Sequence, residues 1–520
     1  MPIRGEVRRS FYQDSMVLML LAATLRERSG VRQAAALMGS PANRGLLRSA
    51  GLEAPEVADA AAGDLMVVVD AEDDAAARSA LAAVGDFFDQ QQRARATSGR
   101  PRPRTLESAL RQMPDASLAL VSVPGAYAAL EARTALMRGV NVFLFSDNVP
   151  VEEEVALKRL AASRRLLCMG PDCGTAYIGG VGLGFANVVP RGRIGCVAAS
   201  GTGLQAVAAH LAALGEGVSH GIGVGGRDLS AAVGGIMTTA ALELLAADAR
   251  TEVVVLISKP PAPPVMADLD GLLARIPKPV VVCCLDAPVR GRVDPDARAG
   301  SIHRVRTLEE AALAAVGLAH GRSWSAPAFT DAAGARARLA RARRGPSAGR
   351  HVLGLYSGGT LAHEACLVLS PLLGDVETRD GAVPSHRVLD LGADELTVGR
   401  PHPMIDPSER GARVRLAGHA PDVGVLLVDL VLGRGSHPDP AGPLVAAVQD
   451  ARATAAAAGR SLSVVASVVG AEGDPQGLRA QVATLEACGV DVLPSNAQAC
   501  RFAALLAAPE RDADILGSEP

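Results

Sequence analysis

A chain of 520 residues, 49% apolar and 21% charged, is long enough for three or four globular domains, each with its own core. Lys and Arg number 52 against 55 Asp and Glu, giving a net charge of −3, and aromatic residues make up 2%. That balance argues against a nucleic-acid binder, which needs a basic surface and stacking platforms, and excludes a disordered or disulfide-stapled chain.

Residues 1–95 read as a small α/β domain, β-α-β-α-β-α, with strands near 5–9, 31–37 and 65–69. The apolar run Met16-Val17-Leu18-Met19-Leu20-Leu21 follows Arg4, Arg8 and Arg9, as in a secretory signal. Gln13-Asp14-Ser15 separates the two parts, however, and Arg26-Glu27-Arg28 follows with no small-residue cleavage site, so a buried helix capped by Asp14 or Ser15 is the better reading. No run approaches the ~18 apolar residues of a membrane helix, and a cytoplasmic protein is expected. Residues 91–104, with five Arg and two Pro, read as a solvated linker.

Beyond it, short β-branched runs alternate with Ala/Leu-rich helical stretches. With the earlier run at 65–69, these runs lie at 118–121, 142–145, 194–198, 253–257, 280–285, 352–355, 423–430 and 462–469. Runs apolar on both faces predict buried parallel strands, hence an α/β fold. Residues 105–190 read as a Rossmann-like domain, and 191–320 and 350–510 as two flavodoxin-like domains. The 321–350 stretch reads as a second linker that begins with a short basic helix.

Five turns could carry chemistry. Ser200-Gly201-Thr202 lies between a strand and a helix, where unpaired N–H groups and the helix dipole suit phosphate or carboxylate; a tight capped turn is the alternative. Gly225-Gly226-Arg227-Asp228 reads as a second strand-to-helix turn, with Arg227 gripping an oxyanion and Asp228 facing substrate. Lys259, after a strand and before two prolines, could add a point charge or be a plain loop lysine. Ser357-Gly358-Gly359-Thr360 repeats the first turn's logic. The proline-shaped loop 399–407 presents Arg400, His402 and Asp406, with His402 either a general acid/base or a loop hydrogen-bonder. The eight Cys form no C-x-x-C pair and the ten His no H-x-x-x-H pair, so no metal site is expected. No G-x-S-x-G nucleophile turn occurs either.

Ser122-Val123-Pro124-Gly125-Ala126-Tyr127, Gly170-Pro171-Asp172-Cys173-Gly174-Thr175 and Ala198-Ala199-Ser200-Gly201-Thr202 resemble, in order and spacing, the α subunit of succinyl-CoA synthetase. Residues 350–510, with Asp390-Leu391-Gly392-Ala393-Asp394, look like that enzyme's β-subunit ligase domain. Phe11-Tyr12-Gln13-Asp14-Ser15, Met38-Gly39-Ser40-Pro41-Ala42-Asn43 and Gly225-Gly226-Arg227-Asp228-Leu229-Ser230 are particular to the FdrA family, which nearly the whole chain resembles. The synthetase's phosphohistidine turn is missing. Its place is taken by Asp286-Ala287-Pro288, and His303 has the wrong context. The glutamate supporting that histidine is replaced by Ser258-Lys259, and neither a CoA-holding Gly turn in 1–95 nor an ATP-grasp domain is present.

The FdrA resemblance implies the large subunit of a carbamoyltransferase of purine and allantoin catabolism: oxalurate plus phosphate to and from oxamate plus carbamoyl phosphate. It also implies an oligomer with two smaller, unrelated subunits. In that reading Ser200, Gly201, Thr202, Gly225, Gly226 and Arg227 hold phosphate, Lys259 offsets its charge, and Arg400 with His402 orients the acceptor. No cofactor is expected, CoA and nucleotide having no supporting motif. The alternatives are an acyl-CoA synthetase-like ligase whose partner supplies the ATP-grasp module, and a non-catalytic scaffold.

Overall fold

The computed structural model describes residues 2–516 apart from 14, 97–102, 287–299, 344–348, 380, 382–383 and 398–400. Two units separate, residues 1–104 with 397–401 and the remainder of the chain. In the first, β1 (Ile3–Arg8), β2 (Val31–Met38) and β3 (Leu65–Ala71) pair in the order β1-β3-β2. The run at 65–69 is therefore not a parallel strand but the centre of an antiparallel sheet. It is apolar throughout because its alternate side chains enter two cores. Leu65, Val67 and Val69 meet Leu21, Leu25 and Val84 on one face, and Met66 and Val68 meet Leu47, Leu52 and Val57 on the other. The helix Asp74–Ala96 runs into the expected 91–104 linker, of which 97–102 lie outside the described residues.

The second unit opens with three parallel strands, β4 (Leu118–Val121), β5 (Asn141–Leu144) and β6 (Cys168–Met169). The hairpin β7 (Thr175–Ile178) and β8 (Val181–Gly184) crosses to the next sheet, so the fold changes hands before residue 190. That sheet continues with β9 (Ile194–Ala198), β10 (Val218–Gly223), β11 (Val253–Ser258), β12 (Val280–Cys284) and β13 (Ile302–Arg304). Its parallel part has the doubly wound order β10-β9-β11-β12-β13. The third sheet comprises β14 (His351–Tyr356), β15 (Val376–Glu377), β16 (His386–Asp390), β17 (Val423–Val431), β18 (Ser463–Val469) and β19 (Asp491–Leu493). Its order, β15-β16-β14-β17-β18-β19, repeats the plan. In each sheet strand order reverses beside the first strand, so crevices open at the carboxyl ends of β9 and β14.

The two repeats are welded. Helices Gly201–Ala213 and Leu308–Ala319 of one meet Gly359–Leu373 and Asn496–Ala507 of the other in one core holding Leu204, Leu211, Leu361, Leu369 and Phe502. Asp474 accepts Val188 N at 2.6 Å and Asn187 Nδ2 at 2.8 Å, and Ala186 pairs with Arg434. The 321–350 stretch is not a free linker. Helix Ala332–Ala342, capped by Asp331, buries Ala335 and Leu339, while Arg341 and Arg343 bind Asp491 and Asp512 at 2.6 Å. Among the described residues no helix is long and apolar enough to cross a membrane.

Candidate functional site

The Ser200 turn forms as expected. β9 delivers Ser200 to the start of helix Gly201–Ala213, and its Oγ accepts Gly203 N at 2.9 Å. A Cβ at Gly203 would stand 2.6 Å from that hydroxyl, which makes glycine necessary there. The turn faces its counterpart in the second repeat. Ser200 Oγ lies 2.5 Å from Thr360 Oγ1, and a Cβ at Gly358 would meet the Thr202 Cβ at 3.1 Å. Two helix N-termini thus converge on one spot between the repeats.

Lys259 follows β11 and is exposed. It acts on His363, a residue that no sequence motif singles out but that lies three positions after Thr360 on the same helix. Burial, then Lys259, lowers the pKa of His363, against Asp286 at the end of β12. His363 Nε2 is buried without a hydrogen-bond partner.

At the other predicted turns, internal carboxylates occupy the anion positions. Gly225 and Gly226 do not open a helix; the next one starts at Ile236. Gly225, with φ of +87°, is required because a Cβ would stand 2.3 Å from Pro171 O, and a Cβ at Gly226 would face Asp172. Arg227 is committed to Glu154 at 2.9 Å and to Val149 O at 2.8 Å. Asp228 is fully buried and accepts Thr238 N and Lys158 Nζ at 2.8 Å, so it caps helix Ile236–Ala247 instead of facing substrate. Lys158, also fully buried, further donates to Glu154 at 2.7 Å and Val224 O at 2.9 Å.

In the second repeat, Ser357 N and Gly358 N each donate to Asp429 at 2.8 Å, and Ser357 Oγ does so at 2.9 Å. Buried Arg410 balances that charge at 3.3 Å. A Cβ at Gly359 would stand 2.4 Å from the Asp390 carboxylate. The phosphate expected at Ser357, Gly358 and Gly359 would meet two carboxylates, so of that turn only Thr360 remains available.

Arg400 lies outside the described residues. His402 Nδ1 accepts Met404 N at 3.2 Å, and the ring stands 6.0 Å from Phe185. Burial pushes its pKa down to about 4, against the pull of Asp429. A neutral ring whose Nδ1 is engaged by its own loop is a structural residue rather than the expected acid/base. Asp406 accepts Ser408 N at 3.0 Å as well as Ser408 Oγ, so it shapes the start of helix Ser408–Ala417.

Residues 1–103 match the AllF heavy metal-associated domain, and residues 355–506 match the CoA-ligase domain. Over 514 residues the chain is 40% identical to the uncharacterized protein YahF of Escherichia coli strain K12, covering 95% of this chain and 97% of that one. The chain belongs to the YahF family. The FdrA-like and succinyl-CoA-synthetase-like character of its motifs agrees with this. A mitochondrial succinate–CoA ligase [ADP-forming] subunit alpha-2 of Trichomonas vaginalis is 31% identical over 150 residues, 28% of this YahF-family chain and 47% of that subunit. Among solved structures, the apo dinucleotide-forming acetyl-coenzyme A synthetase 1 of Ca. Korarchaeum cryptofilum is 16% identical. It covers 77% of this chain and 84% of its own at a TM-score of 0.28. The YahF-family chain thus has a CoA-ligase-type fold, whereas carbamoyl transfer finds no counterpart in these names.

Residues 1–103 contain no Cys and no His, so the thiolate and imidazole ligands typical of soft-metal sites are missing. Elsewhere burial pushes the thiols of Cys168, Cys173, Cys196 and Cys284 up to about 12, far from the thiolate form. Among the described residues no cluster of His, Cys, Asp and Glu could hold a metal. The domain does not fit a heavy metal.

Proposed function

We propose that the chain is the acyl-phosphate-handling subunit of a ligase-type enzyme. Its phosphate sits beside the Ser200–Thr360 contact, at the start of helix Gly201–Ala213. The observation that carries this reading is the 2.5 Å meeting of Ser200 and Thr360, at a helix start capped by the neutral Ser200 hydroxyl. The CoA-ligase match over 355–506 and the succinate–CoA ligase relative support the ligase side. The backbone N–H groups of Gly201 and Thr202, the Thr202 and Thr360 hydroxyls and the Lys259 ammonium would stabilise phosphate as it departs. Attack by the CoA thiol on the acyl carbon breaks its bond to the phosphate oxygen; thioester and inorganic phosphate result. A partner chain would supply nucleotide activation.

The test combines ligand stabilisation with product analysis. Phosphate and acetyl phosphate should raise the melting temperature, and Lys259→Ala or Thr202→Val should weaken the effect. Mass spectrometry should detect acetyl-CoA once the chain is incubated with acetyl phosphate and CoA. Carbamoylation of oxamate from carbamoyl phosphate, without thioester, would instead restore the transferase implied by the FdrA resemblance. Unchanged phosphate stabilisation in both variants would sink the assignment of the site.

A further inference from the structure

Behind the Ser200–Thr360 contact the same helices enclose a polar cluster between the two repeats. Glu364, 1% exposed, lies one turn beyond Thr360. Its Oε1 reaches across the junction to accept Leu308 N at 2.7 Å, at the start of helix Leu308–Ala319, and its Oε2 accepts Asn496 Nδ2 at 2.9 Å. A carboxylate of one repeat thus helps cap a helix of the other, alongside Thr307.

Neighbouring elements turn polar groups toward it, and buried Cys283 of β12 lies close enough to feel its charge. His210 comes from helix Gly201–Ala213, Glu309 from the capped helix, Asn496 and Arg501 from helix Asn496–Ala507, and Ser467 from β18. Tyr356, at the end of β14, donates to Asn496 Oδ1 at 2.9 Å, and Cys500 lies beside that hydroxyl. Glu309 accepts Gln498 Nε2 at 2.5 Å. A cavity of about 10 Å³, room for one water, opens among Glu364, Glu309, His210 and Ser467. Ser467 is 1% exposed, and its Oγ has no hydrogen-bond partner.

We propose that this junction is a proton-operated latch. With a proton on Glu364, donated to a cavity water that in turn satisfies Ser467 Oγ, the two repeats hold together; without it, a bare carboxylate faces Glu309 and the capped helix loosens. Glu364 and Thr360 share one helix, so the latch also bears on the convergence of the paired turns, whatever ligand those turns take.

Electrostatics sets the working range. Burial, then the neighbouring Glu309, pushes Glu364 from 4.5 up to about 7, against Leu308 N, Asn496 and Arg501. The raised value means that the group's contribution to stability is complete below 4.5 and is lost as pH rises through about 7. His210 is held neutral, burial outweighing the pull of Glu309, and so adds no opposing charge at neutral pH.

Infrared titration of the full chain tests the latch directly. A protonated carboxyl band should persist well above pH 4.5, vanish near pH 7 and be missing from Glu364→Gln. Hydrogen exchange in the peptide covering Leu308–Ala319 should accelerate over the same range in the wild type, beyond the intrinsic base-catalysed trend. Ser467→Ala, which removes the water's second partner, should move the band's midpoint to lower pH. If the wild type shows no such band above pH 5.5, about one unit over the free carboxyl, the latch is wrong regardless of how the variants fold. A band that survives in Glu364→Gln overturns it equally.

Discussion

The chain places its own carboxylates at helix starts. Asp228 caps helix Ile236–Ala247, Asp429 fills the Ser357–Gly358 turn, and Glu364 reaches Leu308 N. Each is a buried carboxyl group tied to named partners, which makes the effects of substitution separable. Lys158 balances Asp228 and Glu154 with no solvent access, so Lys158→Ala should cost roughly 3–5 kcal/mol in denaturant unfolding. Arg227, bound to Glu154 from a half-exposed position, should cost below about 1 kcal/mol as Arg227→Ala and leave phosphate stabilisation intact. For the intact site, phosphate at 100-fold excess over its dissociation constant adds about 2.7 kcal/mol, the part that Lys259→Ala should reduce. His402 carries a pH signature of the opposite sign to Glu364. Its pKa falls from 6.5 to about 4, so its contribution to stability is present above 6.5 and is lost as pH falls toward 4. Ring resonances followed by NMR should titrate near 4; a midpoint near 6.5 would contradict the burial described.

At the scale of elements, two segments owe their structure to neighbours. Helix Ala332–Ala342 is rich in Arg, but Ala335 and Leu339, four positions apart, form a narrow apolar stripe and the arginines reach Asp491 and Asp512. Leu339→Ala should therefore destabilise the chain by about 2–5 kcal/mol, as a core position does, whereas a solvated linker would register almost nothing. Denaturant midpoints distinguish the two. The Gly225 turn is held by contact with Pro171, its Cβ position lying 2.3 Å from that carbonyl. Gly225→Val should lower the melting temperature with or without phosphate, the mark of a packing glycine rather than a ligand-binding one.

The whole second unit is organised by the core shared between its repeats. Leu204 and Leu211 pack with Leu361, Leu369 and Phe502, and the Ala186–Arg434 pairing and Asp474 clamp tie the backbones. Neither repeat can unfold without stripping the other's helices, so calorimetry should show 191–320 and 350–510 melting in one transition. A separate peak for 350–510 would refute the shared core. The missing thiols and imidazoles of residues 1–103 set a further expectation. Equilibrium dialysis against copper(I) or zinc should leave no stoichiometric metal on the intact chain.

The sequence by itself determined the local elements and the repeated plan. The runs at 194–198 and 253–257 became β9 and β11, and those at 352–355 and 423–430 became β14 and β17. Strands buried on both faces must be apolar throughout, and that signal is contained in a few consecutive residues. The Ser200 turn was legible for the same reason, since a strand, small residues and a helix form one local unit. Tertiary structure alone decided which turns remain open to a ligand. Asp429 lies 72 positions from Ser357, Glu154 73 from Arg227, and Thr360 160 from Ser200. No periodicity links such residues; they meet because parallel sheets bring the carboxyl ends of distant strands to one edge and the helices of two repeats bury a common face. The same distance hid His363, Lys158 and Glu364, whose surroundings are a property of the packed molecule.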